Sequence, residues 1–289
     1  MKKCAVITNG YCSYPSVAKQ VGELVFELNE TGVAAEILKT DELIAYVDVD
    51  RPLSLIGEKD FVVYLDKDPY ISHLLEKCGY KLVNSAKAIE LCDDKMKTHI
   101  ALSGVSAMPK TISFPLAYQK ADDEFCLYAE RVLGYPIVVK EVFGSMGKGV
   151  YLCNNRAELL SVNGRLSGIP HVFQEFIGKG GEDIRVIVLG GKAVAAMKRV
   201  NENDFRSNIA AGGIGTTVNL EETDKKLAEL AAKTLQLDYC GVDILHGEGK
   251  SYVCEVNSNA FWSGISEVTG INIARLYAKY LYGKFYPKG

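Results

Sequence analysis

Two short apolar runs near the C-terminal end, Gly241-Val242-Asp243-Ile244-Leu245 and Tyr252-Val253-Cys254-Glu255-Val256-Asn257, constrain the chain most, because each carries acids inside a segment that reads as a strand. With His246-Gly247-Glu248-Gly249-Lys250 between them, they predict a β-hairpin. Charged groups are seldom buried unpaired, so acids in such strands call for a cation or a hydrogen-bond network. Side chains alternate along a strand, which puts Glu255 and Asn257 on one face; a five-residue loop would set Leu245 against Ser251 and Asp243 against Val253, diagonal to Glu255. Two carboxylates and an amide oxygen then converge. That donor set suits Mg²⁺, which binds a few protein oxygens and completes its shell with water and nucleotide phosphates. The hairpin alone fits equally an edge ribbon whose acids face water, so the rest of the chain has to choose.

At 289 residues the chain is longer than one compact core, and two or three domains are expected. A formal net charge of −3 argues against a general nucleic-acid or membrane-surface binder. No run approaches the ~20 apolar residues of a membrane span, and the apolar run after Met1-Lys2-Lys3 is too short for a signal-peptide core, so a cytoplasmic protein is expected. The eight cysteines show no C-x-x-C pair and suit a reducing compartment; Cys240 and Cys254 are expected in the core, on the hairpin face away from the acids. The four histidines share no spacing that suggests a metal site or a Ser-His-Asp system.

The chain begins as an open α/β layer: strands at residues 4–8, 34–38, 61–64 and 81–83, a helix marked by Val17, Val21, Leu24, Val25 and Leu28 and ended by Gly32, and a second helix over 71–78. The Asn9-Gly10 turn is not a dinucleotide fingerprint and reads as a plain turn. Residues 85–104 read as helical, with Asp93-Asp94-Lys95 inside as a solvated face. A new α/β unit follows Pro109, with a strand near Thr111, a helix over 125–133 and a strand over 135–140 that ends at Lys140, where a charge either snorkels or meets a phosphate. Gly144-Ser145-Met146-Gly147-Lys148-Gly149 lets backbone N–H groups approach an anion; it is followed by a strand, unlike Walker A, and reads as a flap over a nucleotide or as a plain hairpin turn. Next come a helix over 156–166 and a strand over 172–177 whose backbone can meet an adenine edge while Phe176 covers the ring. Strands at 183–189 and 192–199 precede the run Asp204-Phe205-Arg206-Ser207-Asn208. Lys198, Arg199 and Arg206 bind phosphate or carboxylate, or form surface ion pairs. Two last helices, 224–236 and 271–282, are expected to pack against the back of the hairpin.

Taken in order, the strand-end lysine, glycine flap, Gln-Glu strand, Asp-x-Arg strand, Arg-x-Asn turn, strand Asp and strand Glu-x-Asn resemble the ATP-grasp superfamily, and within it the RimK-like carboxylate-amine ligases. The resemblance runs from about Asp93 to Tyr280. It implies an α/β (α+β) ATP-grasp fold with an N-terminal open α/β domain over 1–92, a central flap subdomain over 93–174 and a C-terminal antiparallel-sheet subdomain over 175–289 that carries the metal site. It further implies that Lys95 and Lys140 touch the nucleotide phosphates, that Ser145 and Gly147 belong to the closing flap, and that Glu175 and Phe176 meet adenine with Asp183 nearby. Arg206, Ser207 and Asn208 would lie beside the phosphates, Arg199 would hold phosphate or a substrate carboxylate, and Asp243, Glu255 and Asn257 would carry two Mg²⁺, or Mn²⁺ in their place. The implied partners are ATP, a carboxylate and an amine such as glutamate, either one a small molecule or a peptide or protein terminus; relatives often self-associate, but no interface is legible. Two departures border the implied acceptor pocket: Ser258-Asn259-Ala260-Phe261-Trp262-Ser263-Gly264 replaces the usual Ala-Ser-Pro-Gly, and Lys198 stands where an acid often precedes the arginine. The alternatives are a non-catalytic ATP-binding module of the same fold and a ligase that closes side-chain esters or amides within a peptide.

Overall fold

In the computed structural model, which describes residues 2–117 and 123–287, the first apolar run becomes β1 (Lys3–Thr8), buried throughout after Lys3. The helix α1 (Pro15–Glu30) opens on proline and buries Val21, Leu24 and Leu28; Gly32, at φ 83°, then turns the chain into β2 (Ala34–Lys39). A small hairpin, β3 (Ala45–Val47) and β4 (Pro52–Ser54), precedes the fully buried β5 (Phe61–Leu65), the helix α2 (Pro69–Lys77) and β6 (Leu82–Val83). The parallel order is β2-β1-β5-β6. The chain leaves β1 to opposite sides, so a crevice lies outside the carboxyl ends of β1 and β5, where open α/β sheets take ligands.

The single helix expected over 85–104 is two, α3 (Ala86–Asp93) and α4 (Lys95–Leu102). Between them Asp94 is extended, and its carboxylate accepts a hydrogen bond from the Lys97 backbone N–H, which caps the second helix. That break sets Lys95 at the head of α4. The middle unit is β7 (Thr111–Ser113), α5 (Glu124–Leu133), β8 (Ile137–Glu141), β9 (Val150–Cys153), α6 (Arg156–Arg165) and β10 (His171–Glu175), with sheet order β7-β10-β8-β9. The last strand ends at Glu175, two residues before the expected boundary.

The third sheet is antiparallel, β13-β12-β11-β14-β15, built from β11 (Glu182–Leu189), β12 (Lys192–Val200), β13 (Ile214–Thr217), β14 (Tyr239–Gly247) and β15 (Lys250–Asn257). The helix α7 (Glu222–Thr234) covers its back, where Ala228, Ala231 and Ala232 meet Val186, Val188, Val242, Ile244 and Val253, joined by Cys92 and Leu102. After α8 (Ser263–Thr269), α9 (Ile273–Phe285) does not pack on the back as expected. It covers the far end of the front face, where Tyr277, Ala278 and Leu281 share a core with Ile187, Leu189, Tyr239 and Trp262 and with Cys4 and Val6 of β1. Ile187 and Leu189 are apolar at that end and require cover; the other end of the same face stays polar.

Asn84 ties the first layer to this sheet. Its buried amide donates to the carbonyls of Tyr239 (2.8 Å) and Ser258 (3.0 Å) and accepts from the N–H groups of Asp238 (2.7 Å) and Tyr239 (3.0 Å). Asn84→Ala strips partners from four backbone groups and is expected to lower unfolding stability by about 3 kcal/mol. Urea unfolding at an unchanged slope reads this directly, and a loss below ~1 kcal/mol would refute the tie.

Candidate active site

The hairpin that should hold a cation is not in the expected register. The turn is only Glu248-Gly249, with Gly247 opposite Lys250, Leu245 opposite Tyr252 and Ile244 opposite Val253. Continued without interruption, that register would set Cys254 against Asp243 and send Glu255 to the apolar back. A β-bulge at Cys254 absorbs one residue, so Asp243 faces Glu255 directly and Asn257 lies opposite Gly241. Two carboxylates and the amide thus share the front face after all. The same bulge corrects the expectation for Cys254: it leaves the core and lines the cleft, with its Sγ 3.4 Å from Lys140 Nζ, whereas Cys240 is buried in the core as expected.

The cleft lies between the middle and third sheets and is lined by Lys95, Lys140, Ser145, Gly147, Glu175, Phe176, Asp183, Arg206, Ser207, Asn208, Asp243 and Glu255. Twelve of the fourteen residues expected at the site are therefore on one cavity wall. Arg199 and Asn257 line an adjoining cavity. Val138, Ile177 and Leu245 supply apolar lining near Phe176, and Gln174 is held by Thr111 (2.9 Å) and His99 (3.2 Å). Glu175 turns its carboxylate to the Lys110 backbone N–H at 2.7 Å. Burial lowers the Lys95 ammonium below its ordinary value, with Glu255 drawing it back up; burial and then Lys140 push His99 down to about 4.

The flap rests on this cleft. Lys95 Nζ donates to the Gly144 carbonyl (2.9 Å), and Arg206, itself paired with Asp204, donates to the Gly147 carbonyl (2.9 Å). With these contacts made, the cleft encloses about 100 Å³, less than the ~300 Å³ at the low end for small-molecule sites, so a ligand of nucleotide size would fit only with the flap lifted. Gly147 sits at φ 75°, and a Cβ there would lie 2.9 Å from Asn208 Oδ1. Gly147→Ala is expected to strain the closed flap by ~1–2 kcal/mol and weaken ATP binding about tenfold. Fluorescent-nucleotide titration checks it, and unchanged affinity would show that the flap does not close on the ligand in this form.

Asp243 is enclosed by arginines. Arg185 grips it bidentately (2.7 and 2.6 Å), and Arg199 reaches the same carboxylate at 2.9 Å while also pairing with Asp183. Burial alone would raise Asp243, but the two guanidinium groups prevail and hold it at about 2; Asp183 is raised, burial outweighing Arg199. A carboxylate offers about four lone pairs, so three donors leave Asp243 room for one more partner. Glu255 and Asn257 are different: among the described residues neither side chain has a hydrogen bond or ion pair. Unpaired oxygens beside a partly free carboxylate, on a face opposite lysines, fit a hard divalent cation that shares its shell with phosphates. Among the described residues no group of three or more His, Cys, Asp or Glu side chains that could hold a metal ion is present, so the candidate donors are two carboxylates and one amide.

The adjoining cavity, about 620 Å³, runs from Arg185, Arg199 and Asn257 to Asn9, Tyr11, Asp66 and Lys67 at the crevice of the first sheet. Glu255, Ser145 and Asn208 line both cavities.

A profile of the RimK-like ATP-grasp domain matches residues 92–281. The chain belongs to the RimK-like ATP-grasp family. It is 36% identical over 217 residues to a probable alpha-L-glutamate ligase of Psychromonas ingrahamii, covering 73% of this chain and 70% of that one. It is also 32% identical to human N-acetylaspartylglutamate synthase A, covering 75% of this chain but only 56% of the human one, so it spans little more than half of that relative. A D-alanine–D-alanine ligase from Bacillus anthracis, solved with ATP, superposes with a TM-score of 0.75 at 20% identity over 97% of this chain and 96% of the other, which shows the shared ATP-grasp fold.

Within this RimK-like frame, the two sequence departures separate. Asn259, Ala260, Phe261, Ser263 and Gly264 line the second cavity, whereas Lys198 faces away and pairs with Glu182 at 2.7 Å. Sequence reasoning passed over Arg185 as a partner of Asp243, and it read Asn9-Gly10 as a plain turn although Asn9 faces the second cavity. Strand ends at the crossover of a parallel sheet were the available signal. Among the described residues no helix is long and apolar enough to cross a membrane.

Proposed function

We propose that the protein is an ATP-dependent carboxylate-amine ligase that adds an amino acid such as glutamate to a carboxyl group through an acyl phosphate. The observation that carries this reading is the junction of the two cavities at Glu255, Ser145 and Asn208. The names of the relatives, a glutamate ligase and an N-acetylaspartylglutamate synthase, support the choice of amine.

On this reading ATP enters beneath the flap with adenine near Phe176 and Leu245 and its phosphates toward Lys95, Lys140, Arg206, Ser207 and Asn208. The carboxylate oxygen of one substrate attacks the γ-phosphorus and ADP leaves. The amine nitrogen, freed of its ammonium proton, then attacks the acyl carbon, the bond from that carbon to the phosphate oxygen breaks, and the proton next lost from nitrogen leaves with the phosphate. The lysines and Arg206 offset the repulsion between two approaching anions, and the flap keeps water from the acyl phosphate. Asp243, Glu255 and Asn257 would hold two Mg²⁺, or Mn²⁺, whose charge neutralises the polyphosphate when bound. Arg199, enclosed by Asp183 and Asp243, acts by placing the Asp243 carboxylate. The test is a screen of amino acids against candidate acids for phosphate release with ATP and Mg²⁺, with products weighed by mass spectrometry. Release that needs both an acid and an amine is expected. ATP binding with no turnover would establish the non-catalytic alternative, and loss of water from a peptide acceptor the peptide-modifying one.

A further inference from the structure

The second cavity contains five charged side chains, and four are already accounted for. Lys67 pairs with Asp93 (2.8 Å), Arg185 and Arg199 with Asp243 and Asp183, and Glu255 faces the junction where a cation fits. Asp66 is the fifth. It is 8% exposed, lies at the carboxyl end of β5, and among the described residues receives only neutral donors: Asn9 Nδ2 (3.1 and 3.2 Å), the Lys67 backbone N–H (2.7 Å) and Thr40 Oγ1 (3.3 Å).

These donors are fixed in sense. Asn9 Oδ1 accepts from the Tyr11 N–H (2.9 Å), which aims Nδ2 at Asp66, and Thr40 Oγ1 accepts from the Gly10 N–H (3.2 Å), which leaves its own proton for Asp66. Three donors on one carboxyl group favour its ionised form even though burial raises its pKa. Among the described residues no lysine, arginine or histidine forms an ion pair with it. A buried carboxylate with hydrogen bonds but no counter-charge, open to a cavity, is completed by a cation.

We propose that Asp66 is a specificity-determining residue of the acceptor cavity, holding the ammonium group of the amine substrate and taking one of its protons, which frees the nitrogen to attack the acyl carbon. The inference rests on the ligase reading and adds to it the residue that distinguishes an amino acid from the corresponding acid. A charge-assisted hydrogen bond of this kind corresponds to about a ten- to hundredfold difference in affinity.

The experiment is calorimetric titration of the full chain saturated with Mg-ADP, using L-glutamate and glutarate, which differ by the ammonium group alone. Wild type should bind L-glutamate at least tenfold more tightly, and Asp66→Asn should reduce L-glutamate to the level of glutarate with Mg-ADP affinity unchanged. Asn9→Ala, which removes the aiming donor without altering the acid, should weaken L-glutamate several-fold and guards against misfolding of the first variant. Equal binding of the two acids by wild type, or undiminished L-glutamate binding by Asp66→Asn, overturns the assignment. Failure of the ligase reading would show separately, as wild type that consumes no ATP in the acid and amine screen.

Discussion

Glu255→Gln is expected to lower turnover by at least a hundredfold while ADP still binds. The substitution keeps the shape of the side chain and removes only its charge, at a residue that has no hydrogen bond or ion pair among the described residues and lines both cavities. Folding therefore loses nothing specific. What is lost is a negative oxygen at the place where the γ-phosphate would pass between cavities, and with it the hold on the proposed cation, which would offset charge in the transition state; removing one such preorganised group costs ~10²–10³ in rate. Amine-dependent ADP release measures it, alongside nucleotide titration of the same variant. Near-normal turnover would remove Glu255 from the reaction, and the proposed metal site with it.

Arg199→Met should have the largest effect on stability, a loss of about 4 kcal/mol at neutral pH, because breaking a buried ion pair leaves its acid uncompensated. Arg199 is 2% exposed and bridges Asp183 and Asp243, so its removal leaves Asp183 with no guanidinium partner and Asp243 with Arg185 alone. The pH dependence carries a sign. Asp243 is held at about 2, below the ~3.9 of an unfolded aspartate, so in wild type its stabilising contribution is complete above the unfolded value and lost as pH falls through about 2. In the variant both acids take up protons at higher pH, which relieves the unpaired charge. The stability gap between the two proteins should accordingly narrow as pH falls from 7 toward 3. A gap that stays constant across that range would mean that packing, not charge, is what Arg199 supplies.

Much of this was legible in the order of residues. The apolar alternation of residues 241–257, the glycines of the flap and the strand-end lysine specify elements by local physics: a strand's two-residue period, a glycine's freedom at positive φ, a lysine at the end of an apolar run. Those features set the local elements, and the order in which they occur carries the resemblance that implied the ATP-grasp fold; the structure brings twelve of the fourteen expected residues to the lining of one cavity. Tertiary structure decided what crosses between strands. One bulged residue at Cys254 sets whether Glu255 meets Asp243 or the core, and no period in a single strand records a neighbour's register. The pairing of Arg185 with Asp243, the placement of α9 on the front face against Ile187 and β1, and the approach of Asp66 to the cavity of Glu255 depend on residues far apart in the chain. Such contacts arise from the packing of whole sheets and helices, for which the chain's local pattern has no counterpart.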